Sequence, residues 1–357
     1  MRWVIGIALA LVGAVLFGGW AYSGPGFTGP ASDHFDGKHF HNLVPAQRDS
    51  GSYLKWLLDY RHSDWKYLAD APIGPPPPRR VDTSELRVTP INHATVLIQT
   101  QGLNILTDPI WSKRASPFSF IGPARYRPPG IRFEDLPPID IALISHNHYD
   151  HLDLATLKRL TQRDHPLILV GLGNRELLNE NGIDRVEELD WWQTRALNDQ
   201  VKITGVPAQH FSARGLFDRD ETLWLGYVLQ APGGPIYFAG DTGLGPHFDL
   251  IRERFGPMRL AMLPIGAYLP RWFMKPVHMS PGDAIAAHKM LKAQTSLGIH
   301  YGTFRLALDG QFQGRDELHS LAKASELGND EFITPEFGQG QMIKPLATAI
   351  AALVSGH

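Results

Sequence analysis

The chain contains no cysteine. Disulfides, thiolate metal sites, cysteine nucleophiles and a lipid-modified N-terminal cysteine are therefore excluded, and the redox compartment is left open. It also lacks a surplus of charge of either sign. The 34 Lys and Arg nearly balance the 36 Asp and Glu, for a formal net charge of −2. No overall field draws such a chain to nucleic acid, and no nucleic-acid partner is expected. No internal repeat of short fixed period is visible. What is present is an ordinary globular composition, with 357 residues, 43% hydrophobic and 20% charged. That suffices for a large core in one or two domains.

The N-terminus departs from this average. Residues 3–22, WVIGIALALVGAVLFGGWAY, carry no charge. A run of this length can span a hydrocarbon core of about 30 Å. Trp3, Trp20 and Tyr22 stand at its ends, where interfacial aromatics belong. A cleaved signal peptide is the alternative. Its apolar region would be about 7–15 residues with a small-residue cleavage site, so an uncleaved anchor over residues 1–23 is expected. Arg2 places the N-terminus in the cytoplasm by the positive-inside bias. In a bacterium the remainder would then face the periplasm from the inner membrane. Residues 24–80 read as a connecting region that packs on the main domain through Tyr53, Trp56, Leu57, Tyr60 and Trp65, and the stiff GPPPPRR (74–80) ends it.

From Val81 short β-rich runs follow one another: 86–91, 94–100, 103–108, 140–146, 166–171, 201–208, 222–231, 235–241, 260–266 and 295–302. The first three are joined by short turns and read as antiparallel. The later ones alternate with helix-like stretches near 152–162, 173–181, 281–293 and 316–326. The expected fold is α/β, two sheets sandwiched between helical layers, over residues 81–345, with 346–357 as a C-terminal tail.

The stretch ISHNHYDHLD (144–153) packs three histidines and two aspartates behind an apolar strand. His146 and His148 can point one way from the strand end, and Asp150 and His151 the other as a helix begins. Imidazole and carboxylate donors suit zinc, iron or manganese. His210 in VPAQH, Asp241 in FAGD and His300 in LGIHYG also follow β-runs, and ligands at strand ends converge on one rim of a sheet. The count fits two metals. His146, His148 and His210 form one site, Asp150, His151 and His300 the other, and Asp241 bridges them. Against this, Asp150 could simply cap the following helix. Asp108 in LTDPIW reads either as a turn residue or as one that orients a ligand histidine. His93 reads as a structural histidine, and His34, His39, His41 and His62 as non-ligands.

The set His146-x-His148-x-Asp150-His151, His210, Asp241, His300 resembles the metallo-β-lactamase superfamily of binuclear hydrolases. INHATVLI, LTDPIWSKRASPFSFIGPARYR, AQHFSARG, YFAGDTG, IGAYLPRWFMKPVHMSP and IHYGTFRLA narrow the resemblance to the N-acylphosphatidylethanolamine-hydrolysing phospholipase D branch and its bacterial relatives. The resemblance implies a four-layer αββα sandwich and two zinc ions, with iron or manganese as alternatives. It implies a phospholipase D-type phosphodiesterase in which a metal-bridging hydroxide attacks phosphorus, with Asp241 and Asp150 in catalytic roles. It places His278 at the active site, on the substrate phosphate or beside the leaving group. The remaining alternatives are a sugar-phosphate lactonase on the same scaffold and a non-catalytic membrane-tethered binding protein.

Two further features bear on a phospholipid substrate and a bilayer. AYLPRWFM (267–274) reads either as ordinary core packing or as an exposed aromatic wall, with Tyr268, Trp272 and Phe273 as substrate-binding residues. Lys113, Arg114, Arg125, Arg127 and Arg132 are either a solvated basic stretch or contacts to anionic headgroups. The oligomeric state is open, a homodimer included.

Overall fold

The computed structural model describes residues 18–19, 21–46, 55–56, 63–82 and 85–347. One seven-stranded sheet has the order β14-β1-β2-β3-β4-β5-β6. Its strands are β1 (Leu86–Asn92), β2 (Thr95–Thr100), β3 (Leu103–Thr107), β4 (Ile141–Leu143), β5 (Leu167–Gly171), β6 (Val186–Leu189) and β14 (Gln341–Met342). The second seven-stranded sheet runs β13-β12-β11-β10-β9-β8-β7. It comprises β7 (Thr194–Ala196), β8 (Lys202–Val206), β9 (Gly226–Gln230), β10 (Ile236–Phe238), β11 (Leu260–Pro264), β12 (Thr295–Ile299) and β13 (Phe332–Ile333). The helices are α1 (Leu154–Asp164), α2 (Arg175–Glu180), α3 (His247–Phe255), α4 (Arg271–Met274), α5 (Pro281–Leu291) and α6 (Gln313–Ala324).

Period-two alternation along the strands makes the layers. In β2, Val96 and Ile98 enter the core between the sheets, while Leu97 faces out. Tyr227, Leu229, Ile236 and Phe238 of β9 and β10 fill the same central layer from the second sheet. The outer face of the first sheet is covered by Leu157, Leu160 and Leu178 from α1 and α2. Phe248, Ile285 and Leu318 from α3, α5 and α6 cover the second. Two sheets between helices is the expected α/β fold.

The strand connectivity differs from the sequence reading in the second half. Strands β7 through β10 pair antiparallel, and only β10 through β13 are parallel. The region 194–238 is a second antiparallel stretch, where strands alternating with helices were expected. Its β7 is wholly exposed, so it carries no hydrophobic signature. The run expected at 140–146 shortens to β4. Beyond Leu143 the chain leaves the ladder, and Ser145 N–H turns to Asp108 Oδ1 at 2.7 Å.

The expected membrane anchor is not supported. Residues 1–17 and Trp20 lie outside the described residues, and among the described residues no helix is long and apolar enough to cross a membrane. Of the aromatics expected at the two ends of that run, Tyr22 is described, and it packs edge-on against Phe118 at 4.8 Å. Tyr53, Leu57 and Tyr60 also lie outside the described residues. Residues 24–46 form a strap over the sandwich. Phe35 and Phe40 are buried in the central core, with ring centroids 4.5 Å apart. The strap N–H groups of Phe27 and Phe40 donate to the carbonyls of Glu221 and Asp220 at 2.8 and 2.7 Å.

Candidate metal centre

The loop after β4 and the loops after β8, β10 and β12 meet at one rim, so both sheets contribute. Gly240 allows the closest approach. It adopts φ +60°, and a Cβ there would lie 2.5 Å from Ser145 Cβ, so a side chain would push the Asp241 loop away from the His146 loop. Asp153, not Asp150, caps α1 by accepting from Ala155 N–H. The capping alternative for Asp150 is thereby removed.

The seven residues read as ligands are brought together. His146 Nε2 lies 2.7 Å from His148 Nδ1, and His210 Nε2 is 3.3 Å from the same nitrogen. Asp150 Oδ2 is 3.2 Å from His151 Nε2 and 3.4 Å from His300 Nε2. Asp241 Oδ2 stands between the two groups, 3.1 Å from His300, 3.3 Å from His151 and 3.8 Å from His210. His278 Nδ1 is 3.9 Å from the same oxygen.

Hydrogen bonds behind the rim fix the tautomers. His151 Nδ1 donates to Asp108 Oδ2 at 2.7 Å, which leaves Nε2 bare. His210 Nδ1 donates to the Val277 carbonyl at 3.0 Å, again leaving Nε2 bare. His146 Nδ1 is 2.9 Å from Ser145 Oγ, whose own proton goes to Asp108 Oδ2 at 2.6 Å. Asp108 thus holds His151 directly and His146 through a serine. Of its two sequence readings, the orienting one describes its contacts. His93, expected as a structural hydrogen-bonding histidine, has its Nε2 2.9 Å from Asp150 Oδ2. It belongs to the set of donor atoms around Asp150, His151 and His300. It sits in the turn between β1 and β2, at φ 44°, and its approach to Asp150 is tertiary, 57 residues along the chain.

Electrostatics show how much charge is gathered here. Burial would raise the carboxyl of Asp241, but His300 and His151 outweigh it and hold the group well below the usual carboxylate range. Burial likewise opposes ionisation of Asp150, and His151 more than offsets it. Burial would lower His300, yet Asp241 and Asp150 push it up to about 9. For His148 and His93 burial outweighs the nearby carboxylates and takes them down to about 4 and about 3.

The donor set fits metal ions. His146 Nε2 and His210 Nε2 carry lone pairs, and His148 Nδ1 has at most one proton, so these nitrogens cannot all satisfy one another. His151 Nε2, His300 Nε2 and Asp241 Oδ1 are buried without a hydrogen-bond partner. A buried donor or acceptor left unpaired costs about 1–3 kcal/mol, and cations between the two groups would satisfy them all. His146, His148 and His210 would hold one ion. Asp150, His151 and His300 would hold the other, with Asp241 shared.

The expected substrate residues are placed unevenly. Trp272 is 43% exposed, with Lys55 Nζ 4.6 Å over its ring. Tyr268 is buried and donates its hydroxyl to Glu317 Oε2 at 2.5 Å. Phe273 is buried and stacks on Trp56. The reading in which all three form an exposed wall is corrected, because the segment folds around a small core of Ala267, Phe273, Met274 and Ala307. Within the basic stretch, Arg125 and Arg127 fit neither the solvated nor the headgroup reading. Arg125 donates to the carbonyls of Ser112 and Ile110, and buried Arg127 pairs with Glu336. Arg114 donates to the carbonyls of Ser119 and Gly122, and Arg132 pairs with Asp135. These four arginines brace local structure.

Comparison with known proteins agrees with this geometry. Residues 103–301 match the family described as the beta-lactamase superfamily domain. The chain is 41% identical over 269 residues, 72% of this chain and 75% of the relative, to N-acyl-phosphatidylethanolamine-hydrolyzing phospholipase D 1 of Caenorhabditis elegans. It is 39% identical over 244 residues, 67% of this chain and 52% of the relative, to the mitochondrial enzyme of that name from Saccharomyces cerevisiae. Among solved structures, an isothiocyanate hydrolase from Delia radicum gut bacteria superposes with a TM-score of 0.58 at 22% identity, covering 72% of this chain and 99% of that one. It shares the fold. The expected inner-membrane anchoring with a periplasmic domain is not supported, because among the described residues no helix is long and apolar enough to cross a membrane. The rim of histidines and aspartates, the paired sheets and these relatives together place the chain in the metallo-β-lactamase superfamily, in its N-acylphosphatidylethanolamine phospholipase D-like branch, as a metal-dependent hydrolase.

Proposed function

We propose that the protein is a phospholipase D-type phosphodiesterase that cleaves phospholipids of the N-acylphosphatidylethanolamine kind. The observation that carries this reading is Asp241 Oδ2, set between two three-residue donor groups, within 3.1–3.8 Å of His300, His151 and His210. Relatives named for this activity, at about two-fifths identity, support the substrate class. Zinc is the favoured ion on the donor chemistry, since every donor is an imidazole nitrogen or carboxylate oxygen.

When bound, a metal pair supplies Lewis-acid polarisation of the phosphoryl oxygens and lowers the pKa of attacking water. The chain does the rest. Asp241 and Asp150 neutralise the site's positive charge and accept the proton lost by water. His278 stands at the rim beside Asp241 and holds the phosphoryl group or delivers a proton to the leaving oxygen. Water oxygen bonds to phosphorus, the bond from phosphorus to the headgroup oxygen breaks, and that oxygen takes the proton. The products are the headgroup alcohol and phosphatidate. Trp272 offers an apolar surface for an acyl chain.

Incubation of purified, zinc-loaded protein with a phospholipid panel in ¹⁸O-water tests this. The expected products by mass spectrometry are an N-acylethanolamine and phosphatidate carrying the ¹⁸O. Protein that holds its metals yet leaves every phosphodiester intact, or that instead opens sugar-phosphate lactones, overturns the proposal.

A further inference from the structure

We infer that the N-terminal strap is a working part of the metal centre, and that Asn42 is a positioning residue for His210. The Asn42 carboxamide grips the His210 peptide from both sides. Its Oδ1 accepts from His210 N–H at 2.9 Å, and its Nδ2 donates to the His210 carbonyl at 2.7 Å. The same Oδ1 accepts from Trp224 Nε1 at 2.9 Å, so the carboxamide is itself fixed by a buried indole of the central core.

The residue before His210 is held the same way. Gln209 Nε2 donates to the strap carbonyl of Val44 at 2.6 Å, and Gln209 N–H donates to Thr242 Oγ1 at 2.9 Å. The turn carrying His210 is therefore clamped between the strap and the loop carrying Asp241. Behind the rim the His210 ring is held by the Val277 carbonyl at Nδ1. Its backbone position, and with it the reach of Nε2 toward His148 Nδ1, depends on Asn42. The strap end is anchored by the buried rings of Phe35 and Phe40 and by His34, whose Nε2 reaches Asp190 Oδ1 at 2.8 Å.

The consequence is selective. Loss of the Asn42 grip loosens the ion held by His146, His148 and His210 and spares the one held by Asp150, His151 and His300. This inference rests on the metal centre and not on the identity of the substrate.

Cobalt titration of the full chain against a competing chelator, read by the visible cobalt spectrum, tests it. Wild-type protein is expected to fill in two resolved steps. Asn42→Ala is expected to weaken one step by about 10–100-fold, the range for losing an outer partner of a ligand, and to leave the other unchanged. Asn42→Asp keeps the acceptor and loses the donor, and is expected to fall between. Asn104→Ala is the control for stability alone. Its carboxamide ties Gln99, Arg79 and Pro138 together far from the rim, and both steps are expected to stay at wild-type affinity. Wild-type affinities in both Asn42 variants, or equal weakening of both steps, or the same loss in Asn104→Ala, would overturn the inference. Wild-type protein that takes up no cobalt overturns the metal centre itself.

Discussion

Two regions of this chain are dense in histidine and aspartate, and they behave in opposite ways. Residues 33–41 carry Asp33, His34, Asp36, His39 and His41. Residues 146–151 carry His146, His148, Asp150 and His151. In the first region the groups around Asp36 find their partners locally and in contact with water, and His34 Nε2 has its own partner in Asp190 Oδ1. Asp36 accepts from Lys38 N–H, His39 N–H and His41 Nε2. In the second, buried donor atoms from both sheets converge and several lack partners. Local density of ligand-type residues is thus no measure of a site. Convergence from distant strand ends, under burial, is.

Four outcomes would break or sharpen that contrast. Asp241→Asn removes the shared carboxylate, and turnover of the best phospholipid is expected to drop about 10³-fold or more. Steady-state assay at matched metal content measures this, and near wild-type turnover would dissolve the distinction between the two regions. Removing metal with a chelator is expected to abolish turnover and lower the melting temperature, with zinc restoring both. At a free-ion concentration about 100 times Kd, bound metal adds about 2.7 kcal/mol. Calorimetry with and without chelator reports it, and an unchanged melting temperature would speak against metal at the rim.

Asp108→Asn keeps the shape but weakens the hold on His151 and Ser145, with an expected loss of about 10–100-fold in metal affinity. Chelator competition measures that loss, and an unaltered affinity would return Asp108 to a turn role. The smallest effect belongs to the N-terminal cluster. His41→Ala is expected to change stability by less than about 0.5 kcal/mol and to leave metal stoichiometry untouched. Denaturant unfolding and elemental analysis check this, and a lost metal equivalent would make the first region a site after all.

The candidate ligands were legible because each is a metal-binding residue type placed just after an apolar β-run. The sheets were legible for a similar reason: alternating Val, Ile and Leu in runs such as TVLIQT and LILVG mark strands buried on both faces. Other parts carried no such mark. Strands β6 and β7 are short and polar, VEEL and TRA, and pairing rather than composition makes them strands. Tyr268 and Phe273 sit in a sequence that looks exposed, but Phe273 packs with Ala307 and Trp56 and Tyr268 turns inward to Glu317. The role of Asn42 is tertiary, since its partners lie 168 and 182 residues away and the flanking KHFHNLVP gives no hint of them. Arg125 and Arg127 read either as solvated basic residues or as contacts to anionic headgroups, but backbone carbonyls and Glu336 claim them.

The division of donors between the two sheets has a mechanical meaning. His146, His148, Asp150 and His151 follow a strand of one sheet, and His210, Asp241 and His300 follow strands of the other. A bound ion pair would rivet the halves of the sandwich at one edge, while at the opposite edge Arg259 and Gln294 of the second sheet donate to the carbonyls of Ile343 and Lys344 beside β14. Shear of one sheet against the other would pull apart the donor pairs that span them, His210 with His148, His151 with Asp241 and His300 with Asp150, so loading with metal and sliding of the layers become a single coordinate.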